Sequence, residues 1–258
     1  MSDEAITAVA GLVASFLSGL LGIGGGLVLT PLLLYLPLLV GGAAIPVKIV
    51  TGLTIVQSIS GSVLGTLRHR AHGNVSSRLV WLMGPPSAVA SLVGAFVSRD
   101  TPDSVILLVF AILAFVGGIM LLLPVTPRDA RAEDIHADPR VAVPIALVLG
   151  FFGGMVGIGG LAFVIAALVY VLRVPPRIAI GSSLGIGLFA AGAALIGKAA
   201  TAQIDPSLAA IVFVAALVAA PVGAAVSVRT QPRALLAILA AIVMLAAIRI
   251  AFTAVTGT

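Results

Sequence analysis

Gly19-Leu20-Leu21-Gly22-Ile23-Gly24-Gly25-Gly26 is the stretch on which the reading of this chain turns. Apolar sequence flanks it, from Ala5 to Ile23 and from Leu27 to Leu36. Inside a helix a glycine costs roughly 1 kcal/mol relative to alanine, so a cluster of them predicts a break. In lipid a break leaves backbone N–H and C=O groups unpaired, and it is tolerated only where protein or a polar cavity receives them. A plainer reading is close helix packing, since Gly22 and Gly26 have small-xxx-small spacing. A second copy shifts the balance towards function. Gly154-Met155-Val156-Gly157-Ile158-Gly159-Gly160 repeats the pattern, again within an apolar run. Paired breaks in corresponding segments are the sequence pointer to a transporter binding site.

Of the 258 residues, 60% are hydrophobic and only 9% charged, against about 25% charged in soluble domains. That composition predicts an integral membrane protein with several helical spans. Continuous rather than alternating apolar runs exclude a β-barrel, and no polar stretch is long enough to form an extramembrane domain. The N-terminus Met1-Ser2-Asp3-Glu4 has no basic segment, so the first apolar run reads as retained. The absence of cysteine removes disulfides and thiol chemistry. The net charge of +5 is a topology signal here before it is a nucleic-acid signal.

The apolar runs are Ala5–Leu39, Ile49–Leu67, Leu79–Val97, Val105–Val125, Val141–Leu172, Ile178–Ile196, Leu208–Val228 and Leu235–Val255. Six fit one crossing each. The first and fifth are too long for one, and these hold the glycine breaks. Each is therefore two short crossings or a re-entrant hairpin, with short crossings preferred because Leu27 to Pro37 is long for half a bilayer. The polar stretch 126–140 divides the chain into a first repeat, 1–125, and a second, 141–258. Further matches support a duplication: Lys48-Ile49-Val50-Thr51-Gly52 with Arg177-Ile178-Ala179-Ile180-Gly181, and Gly94-Ala95-Phe96-Val97-Ser98 with Gly223-Ala224-Ala225-Val226-Ser227. Gly52 to Gly94 and Gly181 to Gly223 are both 42 residues. The expected fold is all-α, with two inverted repeats, each a broken first segment followed by three transmembrane helices.

If each broken run counts as an even number of crossings, one membrane side receives 10 basic residues, including Arg68, Arg70, Arg78, Arg128, Arg131, Arg140, Arg173 and Arg177. The other receives 4: Lys48, Arg99, Lys198 and Arg249. Counting each run as one helix gives 8 against 6. Positive-inside bias favours the first count, with the N-terminus outside and the linker cytoplasmic.

All nine acids fall in termini or loops. Proton pumps and cation carriers usually keep a carboxylate in the membrane, so its absence argues against a cation substrate. The interior offers donors instead. Helices beginning after Gly24, Gly25 and Gly26, and after Gly159 and Gly160, would aim unpaired N–H groups and positive dipole ends at the break, an anion site without charged side chains. Thr51, Thr54, Gln57 and Ser58 on one side, and Ser182 and Ser183 on the other, could complete it. The plainer alternatives are hydroxyl bonds to the helix's own backbone and, for Gln57, a bond between helices. Lys48 and Arg177 occupy equivalent positions and either attract anions at the entrances or snorkel to headgroups; Lys198 is read the same way. No metal site and no cofactor is expected.

Some matches are decoys. Gly192-xxxx-Gly197-Lys198-Ala199 has alanine where a phosphate loop needs Ser or Thr for magnesium. Gly181-Ser182-Ser183-Leu184-Gly185 fits a nucleophile elbow, but His69, His72 and His136 are expected in loops, leaving Ser183 without a base. Asn74-Val75-Ser76 is a sequon by spacing only, on the side read as cytoplasmic. Gly61-xxx-Gly65 and Gly150-xxx-Gly154 read as helix-packing faces.

The paired glycine motifs, the broken segments and Gly181-Ser182-Ser183-Leu184 together resemble the TauE/SafE family of sulfite exporter-like permeases. The resemblance covers nearly the whole chain, although Thr51-Gly52-Leu53-Thr54 fits the family's Gly-Thr-Ser pattern less well. It implies transport of sulfite, a sulfonate or a related anion across a bacterial inner membrane, which agrees with the site read from the residues. The expectation is a secondary anion transporter rather than an enzyme, with the bilayer and a small anion as partners and no nucleic acid. A passive anion channel and a non-transporting scaffold are the rivals. Large apolar outer faces leave room for a homodimer.

Overall fold

In the computed structural model the described residues are 2–21, 25–122, 131–158, 161–227, 244–245 and 247–252. They form α1 (Asp3–Leu21), α2 (Gly26–Leu39), α3 (Val47–Ala71), α4 (Ser77–Val97), α5 (Asp103–Leu122), a 3₁₀ turn (Ala132–Asp134), α6 (Pro139–Val156), α7 (Leu161–Ala166), which continues as a π turn (Ala167–Val171), α8 (Pro176–Ala200) and α9 (Pro206–Ser227). Among the described residues there is no strand, and seven helices are long and apolar enough to cross a membrane: α1, α3, α4, α5, α6, α8 and α9. The last apolar run lies mostly outside the described residues.

Prolines and acids set several helix starts. Pro46 precedes α3 and Pro175 precedes α8, both in extended backbone that cannot continue a helix backwards. Asp138 Oδ1 accepts from Arg140 N at 2.9 Å and starts α6. Asp205 Oδ1 accepts from Ser207 N at 2.9 Å and Leu208 N at 3.0 Å and starts α9.

Both long runs break at their glycines, but unequally. In each, the first part is a full-length helix, α1 with 19 residues and α6 with 18. The second parts are shorter than one crossing. α2 has 14 residues, about 21 Å, whereas the six residues of α7 pass into a five-residue π turn that ends before Arg173, at φ 55°. The two short crossings expected of each run are thus one long helix and one short segment.

The packing is reciprocal between the halves. α1 lies against α9: a Cβ on Gly19 would sit 2.0 Å from Ala220 O, and one on Gly223 2.0 Å from Phe16 O. α6 lies against α4 in the same way, with Gly154 2.1 Å from Ser91 O and Gly94 2.0 Å from Phe151 O. Gly150 also packs on the α4 backbone, at Ser87. Only glycine permits such backbone approach. The pairs correspond: Phe16 and Gly19 lie 135 residues before Phe151 and Gly154, and Ser91 and Gly94 lie 129 before Ala220 and Gly223. α3 and α8, each of 25 residues, lie side by side. Thr51 near the start of α3 meets Lys198 near the end of α8, while Gly65 meets Leu184 and Asn74 meets Gly181. The two helices therefore run antiparallel.

Candidate functional site

A polar strip runs down the buried face of α3. Thr51, Thr54, Gln57 and Ser58 follow one another at helical spacing, and none is more than 2% exposed. Gln57 and Ser58 lie about 15 Å along a helix of about 37 Å, near its middle.

Both glycine motifs come to this strip. Gly25 is the N-cap of α2, at φ 71°, a left-handed conformation that suits glycine. Its carbonyl accepts from Val28 N and Leu29 N, both at 3.0 Å. No side chain caps α2, so its first N–H groups face the break. The Gln57 amide, oriented so that donors meet acceptors, donates from Nε2 to Gly25 O at 3.2 Å and accepts at Oε1 from Ser15 Oγ and Ser15 N, both at 3.1 Å. Gln57 therefore ties α1 to the start of α2 across the break. A Cβ on Gly26 would lie 2.9 Å from Ile158 Cγ2 and 3.0 Å from Ser58 Oγ. Ile158 belongs to the second motif, so the two motifs touch here. Ser58 Oγ is buried and has no hydrogen-bond partner. Gly157 caps α6 at φ 87°, its N–H donating to Gly153 O at 2.9 Å, and a Cβ there would sit 2.1 Å from Thr51 O. Gly24, Gly159 and Gly160 lie outside the described residues.

The hydroxyls of Thr51, Thr54 and Ser183 donate within their own helices, to Lys48 O at 2.8 Å, Thr51 O at 2.9 Å and Ile180 O at 2.8 Å. Their oxygens still have lone pairs with which to accept. Ser182 Oγ accepts from Ser76 N at 2.9 Å and anchors the start of α4 on α8. It lies towards the far end of α3 from Thr51, so Ser182 and Thr51 do not share one site.

Lys198 is where the structure departs furthest from expectation. It neither snorkels nor stands at an open entrance, because it is fully buried. Its ammonium shares its N–H donors among Thr51 Oγ1 at 2.8 Å, Ser98 Oγ and Gln203 Oε1 at 3.0 Å each, and Met155 O at 3.2 Å. All four acceptors are neutral. Met155 is in the last turn of α6, where carbonyls lose their helical partners and a cation is favoured. Gln203 Nε2 in turn donates to Ala95 O at 3.2 Å and Thr201 Oγ1 at 2.8 Å. The network thus joins α3, α4, α6 and α8. Among the described residues Lys198 is the one charged side chain that is buried. The described carboxylates are exposed, apart from the half-buried helix cap Asp205. Ser98 and Gln203 were missed by sequence reasoning; a lysine five residues before a glutamine in a loop signals nothing by itself.

Of the flanking cations, Lys48 donates to Arg99 O and is half-buried, while Arg177 is exposed. His69 was expected in a loop but occupies the last turn of α3, which extends past the apolar run to Ala71. Its Nδ1 has no partner, and the hydroxyls of Ser182 and Ser183 bond elsewhere. No cluster of three or more His, Cys, Asp or Glu capable of holding a metal occurs among the described residues.

Among the described residues, seven long apolar helices around a buried polar strip define a multi-pass membrane protein. Residues 7–250 match the model of the sulfite exporter TauE/SafE family, and the chain belongs to that family. It is similar to the probable membrane transporter protein YunE of Bacillus subtilis, 27% identical over 70% of this chain and 72% of that protein. A probable membrane transporter protein of Xylella fastidiosa (strain 9a5c) is 29% identical over 71% of this chain and 70% of its own length. YjnA of Bacillus subtilis, also a probable membrane transporter protein, is 23% identical over 93% and 96% of the two chains. No solved structure matches.

Proposed function

We propose that the protein is a secondary transporter of a small oxyanion, a sulfur-containing one such as sulfite or an organosulfonate, working by alternating access. The observation that carries this reading is the Lys198 ammonium, fully buried and held only by neutral oxygens. Desolvating a charge without a counter-ion costs several kcal/mol, and an ionisable group inside a membrane protein is by default functional. An anion arriving from the α3 strip supplies the missing counter-ion. The family's description points to sulfite as the first anion to test.

In this reading the halves 1–125 and 141–258 are inverted repeats joined by the cytoplasmic linker 126–140. The antiparallel α3 and α8 and the reciprocal glycine contacts support it. The anion sits midway along α3, against the N–H groups around Gly24, Gly25 and Gly26 and, from the other repeat, Gly159 and Gly160. Gln57 and Ser58 orient it, with Thr54 beside them. Thr51 and Lys198 meet it towards one end, Ser182 and Ser183 towards the other, and Lys48 and Arg177 flank the approaches. The protein sits in a bacterial inner membrane, with its N-terminus outside. The exposed apolar faces of α5 and α9 suit lipid or a second copy.

The test is flux into proteoliposomes of purified protein across a panel of sulfite, sulfoacetate, taurine, thiosulfate, sulfate and chloride, with and without a pH gradient. Saturable, competable flux of a sulfur oxyanion, abolished by Gln57→Leu, is the expected result. Flux that never saturates would mean a channel. Absence of flux from folded protein would leave a scaffold.

A further inference from the structure

A cavity of about 830 Å³ opens at the end of α3 opposite Lys198. Its walls carry Arg70, Arg78 and Arg131 against one carboxylate, Glu133. Asn74 and Ser76 line it as well, and Ser76 opens α4, whose start no side chain caps. Ser76 is 2% exposed and its Oγ has no partner. Three arginines and the positive end of a long helix thus line one space. A guanidinium offers paired N–H donors matched to oxyanions, and an uncapped helix start adds backbone N–H groups and a favourable dipole.

We propose that this cavity is a binding site for a free oxyanion, a vestibule in which the transported anion is held before or after its passage along α3. The occupant's identity rests on the transport reading; the site itself does not. Arg70, Arg78 and Arg131 supply the charge, and the start of α4 supplies backbone N–H groups. The Ser76 N to Ser182 Oγ bond links this lining to α8. At the other end of α3 the Lys198 network fills the corresponding position.

The test uses the full chain purified in detergent, titrated with sodium sulfite, sulfate or phosphate against sodium chloride at equal ionic strength, with thermal unfolding as the readout. Saturable stabilisation by an oxyanion, weakened at least tenfold in affinity in Arg78→Gln/Arg131→Gln, is expected. The milder Arg70→Gln should weaken it a few-fold, which keeps the proposal testable should the double variant fail to fold. In proteoliposomes the same variants should raise KM for the transported anion and leave kcat unchanged. Absence of oxyanion-specific stabilisation, or equal stabilisation in wild type and variants, overturns the vestibule. So does loss of the sulfate effect on adding phosphatidylglycerol, which would assign the arginines to a lipid headgroup. Binding without transport by the wild type would instead count against the transport reading alone.

Discussion

The turns that end α3 and α8 share a backbone and differ in what their side chains do with it. Residues 68–76 and 197–205 correspond at a separation of 129. Asn74 N donates to His69 O at 3.0 Å, and Gln203 N to Lys198 O at 2.9 Å. Gly73 N donates to Arg70 O at 3.1 Å, and Ala202 N to Ala199 O at 3.2 Å. Gly73 and Ala202 both take positive φ, 69° and 55°. Each turn also docks on a glycine of the partner helix, Asn74 O on Gly181 and Gln203 O on Gly52. Yet Lys198 and Gln203 fill their turn with a four-helix hydrogen-bond network, whereas His69 and Asn74 leave theirs beside an arginine-lined cavity. Two turns of like backbone thus carry a buried hydrogen-bond network at one end and an arginine-lined cavity at the other. For a transporter that difference matters, because access from one side at a time requires two ends that can be closed separately.

The largest expected effect is at the closed turn. Lys198→Met keeps the length of the side chain and removes the charge. Replacing a buried charge with a packed apolar group is often neutral for stability or stabilising, so the variant should fold with a melting temperature near wild type. Transport should fall at least about 100-fold, the scale of removing one well-placed charge-stabilising donor. Arginine should not rescue it, because its planar fork does not fit a pocket built around a compact ammonium. Uptake into proteoliposomes together with thermal unfolding separates these outcomes. Wild-type flux in Lys198→Met would mean that the network only holds helices together.

The next test asks whether the turns are mechanically equivalent. A Cβ on Gly52 would lie 2.0 Å from Gln203 O, and one on Gly181 2.1 Å from Asn74 O. Backbone cannot yield as a flexible side chain does, so each Gly→Ala change should cost roughly 3 kcal/mol, the upper range for overpacking. Equal losses in melting temperature would support equivalence; a Gly181→Ala protein as stable as wild type would break it. Side chains should then separate the two ends. Gln203→Leu removes one acceptor from Lys198 and the donor to Ala95 O, a cost of about 1–2 kcal/mol. Asn74→Leu, at a half-buried position beside the cavity, should cost within about 0.5 kcal/mol.

Much of this was legible in the chain, for reasons that differ by residue. Glycine clusters in apolar runs have few uses, so Gly19–Gly26 and Gly154–Gly160 marked the helix breaks. The match of Gly94 with Gly223 was visible as spacing, but its meaning, the seating of α4 on α6 and of α9 on α1, is a matter of packing between distant segments. The α3 strip was legible because a glutamine and several hydroxyls in an apolar run need partners. Lys198 was misread because one pattern, a lysine near the end of an apolar run, serves both a snorkelling side chain and a buried one. Only the fold brings Met155 O, Ser98 and Gln203 to it. The inequality of α2 and α7 was also hidden, since both follow the same glycine motif and differ in how far the helix persists before Arg173.

A last pair of changes tests the shared backbone directly. A left-handed residue with a Cβ costs roughly 1–2 kcal/mol relative to the right-handed conformation, and glycine escapes this. Ala202 bears that strain at φ 55° and Gly73 at φ 69° does not. A Cβ at Gly73 would meet nothing within 4 Å, so Gly73→Ala adds strain without a clash. It should destabilise by about 1 kcal/mol, and Ala202→Gly should stabilise by less, because the glycine also gains freedom in the unfolded chain. Opposite signs in the two melting temperatures are the expected result. A destabilising Ala202→Gly would mean that the methyl group packs where the backbone alone implies strain, and the two turns would then differ in contacts as well as in side-chain chemistry. Transport should survive Ala202→Gly, since Ala202 neither bonds to Lys198 nor lines the α3 strip.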